Sequence, residues 1–256
     1  MSIDFAGRAV LVTGGTKGIG HVIARTFLAA GADVLVCGRN SPDTPATTDG
    51  TALPTAGGRT ARFVAADVRD PAAAVHLVEQ AVELVGRLDV LVNNAGGSPD
   101  ADAATVSPRF VERVVALNLL APFYVAQPAN RVMRSQDTGG SIINIGSVSG
   151  VHPQPGTAAY SAAKAGLLTL TRALALEWSP KVRVNHITAG PMASAYGEDG
   201  GAAVAGVIPM GRTAVPADVA NACLFLAGDL ASYLTGADLA VHGGGEYPAR
   251  YLVTRP

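Results

Sequence analysis

The chain has 256 residues, 48% of them hydrophobic and 15% charged, with a formal net charge of −1, enough apolar chain for one large domain or two small ones around a well-buried core. Near-neutral charge gives no electrostatic reason to expect nucleic acid or an anionic membrane surface as a partner, and no run approaches the length of a membrane span. The five histidines (His21, His76, His152, His186, His242) are scattered without ligand spacing, so no protein-bound catalytic metal is expected, and the whole reads as a soluble cytoplasmic protein.

From the N-terminus onward, short apolar runs rich in β-branched residues alternate with longer stretches of helical spacing. Ala9–Thr13 reads as a first strand and Ile19–Ala30 as the helix that follows it. Val34–Cys37 and Arg62–Ala65 read as the next two strands, with a helix over Pro71–Val85. Val90–Val92 is followed by a long helix over Ser107–Arg134, and Ser141–Ile145 by a helix over Thr157–Trp178. Val182–Ile187, a helix over Pro216–Ala227 and a last strand at Asp238–Val241 complete the series. Pro71 and Pro216 suit the first turn of their helices, where a missing N–H costs nothing. Continuous rather than alternating apolar strands indicate burial on both faces, as in a parallel sheet covered by helices. The alternation therefore predicts one doubly wound α/β domain over residues 1–256. Cys37 and Cys223 sit inside apolar runs and read as small buried hydrophobes rather than a disulfide framework.

One stretch interrupts the pattern. Asn40–Arg59, where a crossover helix would connect the second and third strands, holds three prolines and many Thr, Gly and Asp residues. It cannot sustain a regular helix and is expected to be a surface loop with at most one helical turn.

Two clusters carry chemistry. Thr13-Gly14-Gly15-Thr16-Lys17-Gly18-Ile19-Gly20 leaves the first strand and opens the first helix. Gly14 permits the sharp exit, Gly18 lets backbone amides approach a pyrophosphate, Gly20 allows close packing, and the helix N-terminus favours phosphate charge. The second cluster is Tyr160 with Lys164, preceded by Ser147. On a helix, a four-residue spacing stacks the phenol and the ammonium on one face. A phenol with a reference pKa near ~10 exchanges protons poorly at neutral pH, and a neighbouring cation is expected to lower that pKa.

The spacing Gly14-x-x-x-Gly18-x-Gly20, Asn93-Asn94-Ala95-Gly96 after the fourth strand, Asn118 in mid-helix, Ser147 after the fifth strand and Tyr160-x-x-x-Lys164 resemble the classical short-chain dehydrogenase/reductase family. The order and intervals match along essentially the whole chain, to Thr235-Gly236 and Val241-His242-Gly243-Gly244. The likeness is to 3-oxoacyl-carrier-protein reductase-like members, and it implies a Rossmann-type fold of about seven parallel strands with helices on both faces.

The resemblance implies a nicotinamide cofactor held by Gly14, Thr16, Lys17, Gly18, Ile19 and Gly20, by Asp67 and Val68 at the adenine, and by Asn93, Ala95 and Gly96 beneath the adenosine. Tyr160 and Lys164 would meet the ribose, and Gly190, Met192 and Ser194 the nicotinamide. The family often carries Pro-Gly-Pro-x-x-Thr where this chain has Ala189-Gly190-Pro191-Met192-Ala193-Ser194, so one proline is lost and a serine replaces the threonine. The second strand ends in Gly38-Arg39-Asn40 with no carboxylate, and Arg39 and Lys17 would meet a 2′-phosphate, which favours NADP(H) over NAD(H). The same resemblance implies Tyr160 as proton donor to a carbonyl receiving hydride, Ser147 as its hydrogen-bonding partner, Lys164 as the cation tuning Tyr160, and Asn118 as anchor of a proton-refilling water chain. It also implies a homotetramer built on the two long helices and the last strand, and a substrate lid at 193–208 whose glycines suggest mobility. A small-molecule carbonyl or secondary alcohol is the expected substrate. A 3-oxoacyl, general ketone, steroid or polyketide substrate stays open, as do an NAD-dependent alcohol or hydroxysteroid-type dehydrogenase and a non-catalytic cofactor-binding regulator of the same fold.

Overall fold

The computed structural model of the chain describes residues 3–41, 53–192 and 197–254. In chain order the strands among them are β1 (Ala9–Thr13), β2 (Asp33–Gly38), β3 (Thr55–Ala56), β4 (Arg59–Thr60), β5 (Arg62–Ala65), β6 (Val90–Asn93), β7 (Gly140–Ile145), β8 (Val182–Ala189) and β9 (Asp238–Val241). Seven of these form one sheet in the order β5-β2-β1-β6-β7-β8-β9, and each neighbouring pair is parallel. All seven coincide with the apolar runs of the sequence to within two residues; the five inner strands are buried along nearly their whole length, while the edge strands β5 and β9 are partly exposed.

The helices are α1 (Gly18–Ala29), α2 (Pro71–Val85), α3 (Pro108–Val115), α4 (Ala121–Ser135), α5 (Ala158–Trp178), α6 (Gly197–Val207), α7 (Pro216–Ala227) and α8 (Ala249–Thr254). They bury two separate cores. Ile23 and Phe27 of α1 and Val219, Cys223 and Leu226 of α7 cover one sheet face with Val10, Val12, Val36 and Ile143. Leu77 of α2, Val125 of α4 and Leu174 of α5 cover the other with Leu11, Leu35, Leu91 and Ile142. Each such side chain contributes roughly 1.5–3 kcal/mol through burial. Cys37 and Cys223 are buried and unpaired, as their apolar settings imply.

Two local expectations are corrected. Residues 53–60 hold no helical turn: β3 and β4 form an antiparallel hairpin closed by Gly57 and Gly58, both at positive φ (57° and 73°), the conformation a two-residue hairpin turn demands. Residues 42–52 of the same stretch lie outside the described residues. The long helix expected over Ser107–Arg134 is interrupted by a π-helical turn, Ala116–Leu120, between α3 and α4. Pro122, lacking an N–H, cannot bond the carbonyl four residues before it, and the Ala121 N–H bonds the Ala116 carbonyl five residues back instead.

A polar row crosses the sheet within the second core. Asn93, Asn144, His186 and Asp238 are register partners on four adjacent strands. Asn93 Nδ2 donates to Asn144 Oδ1 at 2.9 Å, and Asn144 Nδ2 donates to Thr171 Oγ1 of α5 at 2.9 Å. His186 Nδ1 lies 2.8 Å from Asp238 Oδ1, which also accepts from Thr188 Oγ1 at 2.8 Å.

Candidate active site

The strand order reverses direction between β1 and β6, so the chain leaves their carboxyl ends toward opposite sides and opens a crevice there. The glycine loop occupies the β1 side of it. Lys17 precedes α1 without a side-chain cap, leaving the first amides of the helix for an anion. Gly18 takes a positive φ of 56°. At Gly20 a Cβ would lie 2.4 Å from both the Gly14 carbonyl oxygen and Asn94 Nδ2, so this glycine serves the folding of the loop on itself.

Two residues that stand in the quoted motifs but were given no role there build the crevice. Thr13 Oγ1 accepts the N–H groups of Asn94 and Ala95, each at 3.0 Å. Asn94 Nδ2 donates to the carbonyls of Thr13 at 2.9 Å and Gly14 at 3.2 Å. Their signal in the sequence was membership of those motifs, at the ends of adjacent apolar strands. Asn93 points the other way, into the core, where Nδ2 also donates to Pro122 O at 3.1 Å.

Arg39, just past β2, and Lys17 are exposed, and no carboxylate ends β2. Asp67 is held by Arg69, whose Nε donates to Oδ1 at 2.9 Å. The Arg69 hydrogen bond, with a smaller contribution from Arg39, keeps the Asp67 carboxyl below the usual carboxylate range. A carboxylate offers about four acceptor sites, so the clasp leaves Asp67 capacity for a further donor. An uncapped helix end, a loop with no space for a side chain at Gly20, and two exposed cations fit a phosphorylated dinucleotide.

The proposed tetrad gathers beyond the carboxyl ends of β6 and β7. Ser147 follows β7, half-buried, and its Oγ accepts from Ser149 N at 3.2 Å. Tyr160 and Lys164 lie one turn apart on α5, with Nζ 5.7 Å from the centre of the phenol ring. Lys164 is 4% exposed and Nζ donates to the Ile145 carbonyl at 2.8 Å, a tether from α5 to the end of β7. Burial lowers its pKa from the ordinary 10.5 to about 8. Tyr160 differs from expectation: burial raises its pKa, a hydrogen bond with Ser147 opposes that rise, and Lys164 is not among the causes. Desolvation of the phenolate outweighs the ammonium because both groups are buried and Nζ is directed at a carbonyl.

Asn118 is fully buried in the π turn. Its Oδ1 accepts from Gly97 N at 2.9 Å, while Nδ2 donates to Gly97 O at 3.0 Å and Val114 O at 2.9 Å. The side chain thus fastens the loop after β6 to the helix. Gly190, Pro191 and Met192 follow β8, with Met192 bridging to Ala214. Ser194 lies outside the described residues, as do residues 193–196 of the expected lid, whose remainder is the helix α6. Among the described residues no group of His, Cys, Asp and Glu is placed to hold a metal, and no helix is long and apolar enough to cross a membrane.

A family model described as enoyl-(acyl carrier protein) reductase matches residues 14–246. The acetoacetyl-CoA reductase of an Acinetobacter species is 36% identical over 246 residues, covering 93% of this chain and 97% of that protein. The 3-oxoacyl-[acyl-carrier-protein] reductase of Escherichia coli is 34% identical over 247 residues, with coverage of 94% and 98%. The crystal structure of a short-chain type dehydrogenase/reductase from Mycobacterium marinum superposes with a TM-score of 0.85 at 32% identity, covering 96% of this chain and 97% of that one. Fold, motifs and likeness agree: the chain belongs to the short-chain dehydrogenase/reductase family. It is an oxidoreductase of the class acting on hydroxyl and carbonyl groups.

Proposed function

We propose that the protein is an NADP(H)-dependent carbonyl reductase or secondary-alcohol dehydrogenase with Tyr160 as its general acid/base. The observation that carries this reading is the convergence of Tyr160, Ser147 and the buried Lys164 at the sheet end that also forms the glycine-loop crevice. A bound nicotinamide dinucleotide supplies the hydride. Lys17, Arg39 and the open amides of α1 would hold its phosphates, and the absence of an acid after β2 favours a 2′-phosphate.

The residues divide the remaining work. Ser147 donates a hydrogen bond to the substrate carbonyl oxygen and fixes it beside the Tyr160 hydroxyl. Tyr160 donates its proton to that oxygen in reduction and removes it in oxidation. A phenol kept protonated by burial is well suited to the donor role. Lys164 holds α5 on β7 through Ile145 O and places a positive charge below the phenol, where it favours the phenolate as it forms. Asn118 fixes the loop after β6, with its amide committed to Gly97 and Val114, so a water in a proton chain would bind the turn through a backbone carbonyl.

The test is a panel of ketones, aldehydes and secondary alcohols with NADPH or NADP⁺, followed at the nicotinamide absorbance band, together with the same panel using NAD(H). Turnover with NADP(H) and a lower KM for it than for NAD(H) supports the reading. Cofactor binding without oxidation or reduction of any panel member overturns it. Light scattering in the same buffer tests the homotetramer that the family likeness suggests.

A further inference from the structure

Beside Tyr160 lies a cavity of about 190 Å³, walled by Ala101 and Val106 of the loop before α3, Phe110 and Val111 of α3, and Ala159 and Tyr160 of α5. Apart from Tyr160, its walls are residues to which the phosphate loop and the tetrad assign no task. Its lining contains no charged side chain, and the one hydroxyl besides Tyr160, that of Ser98, already donates to Pro99 O at 2.9 Å. A polar or ionic group placed there would lose its hydration without gaining a partner.

The walls are fixed to one another. Ala101 N donates to Gly156 O at 2.9 Å, which joins the loop to the segment preceding α5. The base of the same loop is held by the paired bonds between Gly97 and Asn118. Val106 N donates to Asp102 O at 2.9 Å, and Ser107 caps α3 by accepting from Phe110 N at 3.3 Å. The cavity is therefore formed in advance, so filling it requires little ordering of the protein.

Size limits the occupant. An apolar cavity of roughly 150 Å³ is enough for a benzene ring, whereas sites for drug-sized ligands run to roughly 300–1,000 Å³. Resting on the carbonyl-reductase reading, we propose that this cavity is the subsite for an apolar substituent on the substrate's carbonyl carbon. A short branched alkyl group or a single aromatic ring fits, and a long acyl chain does not. Tyr160 is both a wall of the cavity and the proposed proton donor, so a group seated there lies against the residue that would protonate its carbonyl. Asp100 and Asp102 flank Ala101 in the loop and add negative charge around it, which opposes a carboxylate or phosphate entering by this side.

The experiment is a series of methyl ketones with NADPH, in which the second substituent runs from methyl through ethyl, propyl and butyl to phenyl, decyl and 2-naphthyl. We expect kcat/KM to rise roughly fourfold for each methylene buried, to peak at butyl or phenyl, and to fall for decyl and naphthyl. Val111→Phe, which fills the cavity, should lower the ratio of phenyl to methyl kcat/KM at least tenfold, the two substrates being compared on one preparation. A series that is flat from methyl to phenyl, or that climbs without limit to decyl, overturns the proposal while leaving the oxidoreductase reading intact. Turnover of no member overturns both. A flat series in which Val111→Phe instead changes the molar mass in light scattering overturns it by assigning the cavity to a second copy of the chain.

Discussion

Replacing Lys164 by Met separates what the lysine does for the reaction from what it costs the fold. Burial moves the ammonium pKa from 10.5 to about 8, and a shift of about 2.5 units corresponds to about 3 kcal/mol against the charged form at pH 7. Methionine removes that cost but leaves the Ile145 carbonyl without its donor, a loss of about 1 kcal/mol. The variant should therefore be more stable than the parent by about 2 kcal/mol at pH 7. The sign of the pH dependence is fixed by proton counting. Between pH 8 and 10.5 the unfolded lysine binds more protons than the folded one, so this residue's contribution to stability rises with pH and the advantage of the variant shrinks, by about 2 kcal/mol between pH 7 and 9.5. The parent curve alone cannot show this. Cys37, whose pKa burial raises to about 12, and Cys223, raised further, stay protonated in the folded chain and pull stability down over the same range. Urea unfolding of both proteins at pH 7 and 9.5, at fixed protein concentration, cancels the shared cysteines in the difference. A stability difference that is the same at both pH values would refute the burial argument, and full reductase activity in the variant would refute the role of Lys164 in the site.

Three further outcomes are expected. Tyr160→Phe should lower kcat by about 10²–10⁴-fold while NADPH fluorescence titration shows cofactor binding largely intact. Arg39→Asp should raise the KM for NADPH at least tenfold and change that for NADH little, since a charge-assisted contact to the extra phosphate becomes a repulsion; equal changes for both cofactors would count against the 2′-phosphate assignment. Gly201 and Gly206 in α6 have open space where a Cβ would go. Gly201→Ala and Gly206→Ala should each stabilise that helix by about 1 kcal/mol, read as slower amide hydrogen exchange across residues 201–207, with no change if the segment is already rigid.

The sheet was legible because its five inner strands are buried on both faces, so their limits are marked in composition itself. The glycine loop and Tyr160-x-x-x-Lys164 were legible because each is contiguous and its spacing matches one turn of a known element. Four things were not. The π turn at Ala116–Leu120 depends on Pro122 and on Asn118 reaching Gly97, 21 residues away in sequence, and helical periodicity carries no sign of such a contact. The hairpin at residues 55–60 was hidden by the surrounding prolines, although Gly57-Gly58 between two short runs is itself a hairpin signal. The pKa of Tyr160 was misjudged in direction because spacing reports that a cation is near, whereas the balance between that cation and desolvation depends on burial. Thr13 and Asn94 act through loop carbonyls and amides, a role any hydroxyl or amide could advertise equally well.

The polar row through Asn93, Asn144, His186 and Asp238 has a consequence for how this protein can diverge. Its members sit on four neighbouring strands, and replacing Asn144 alone strips partners from both Asn93 and Thr171. His186 cannot become aliphatic without taking from Asp238 the closer of its two nearby cationic partners, leaving it bonded to Thr188 with Arg172 in reach of its charge. Gly146 is bound into the same set, because a Cβ there would lie 2.1 Å from the His186 ring. Substitutions along this line are therefore epistatic: each is harmful singly and tolerable only in company. Relatives that have lost the histidine should have lost the aspartate with it, and a side chain at position 146 should occur only among them.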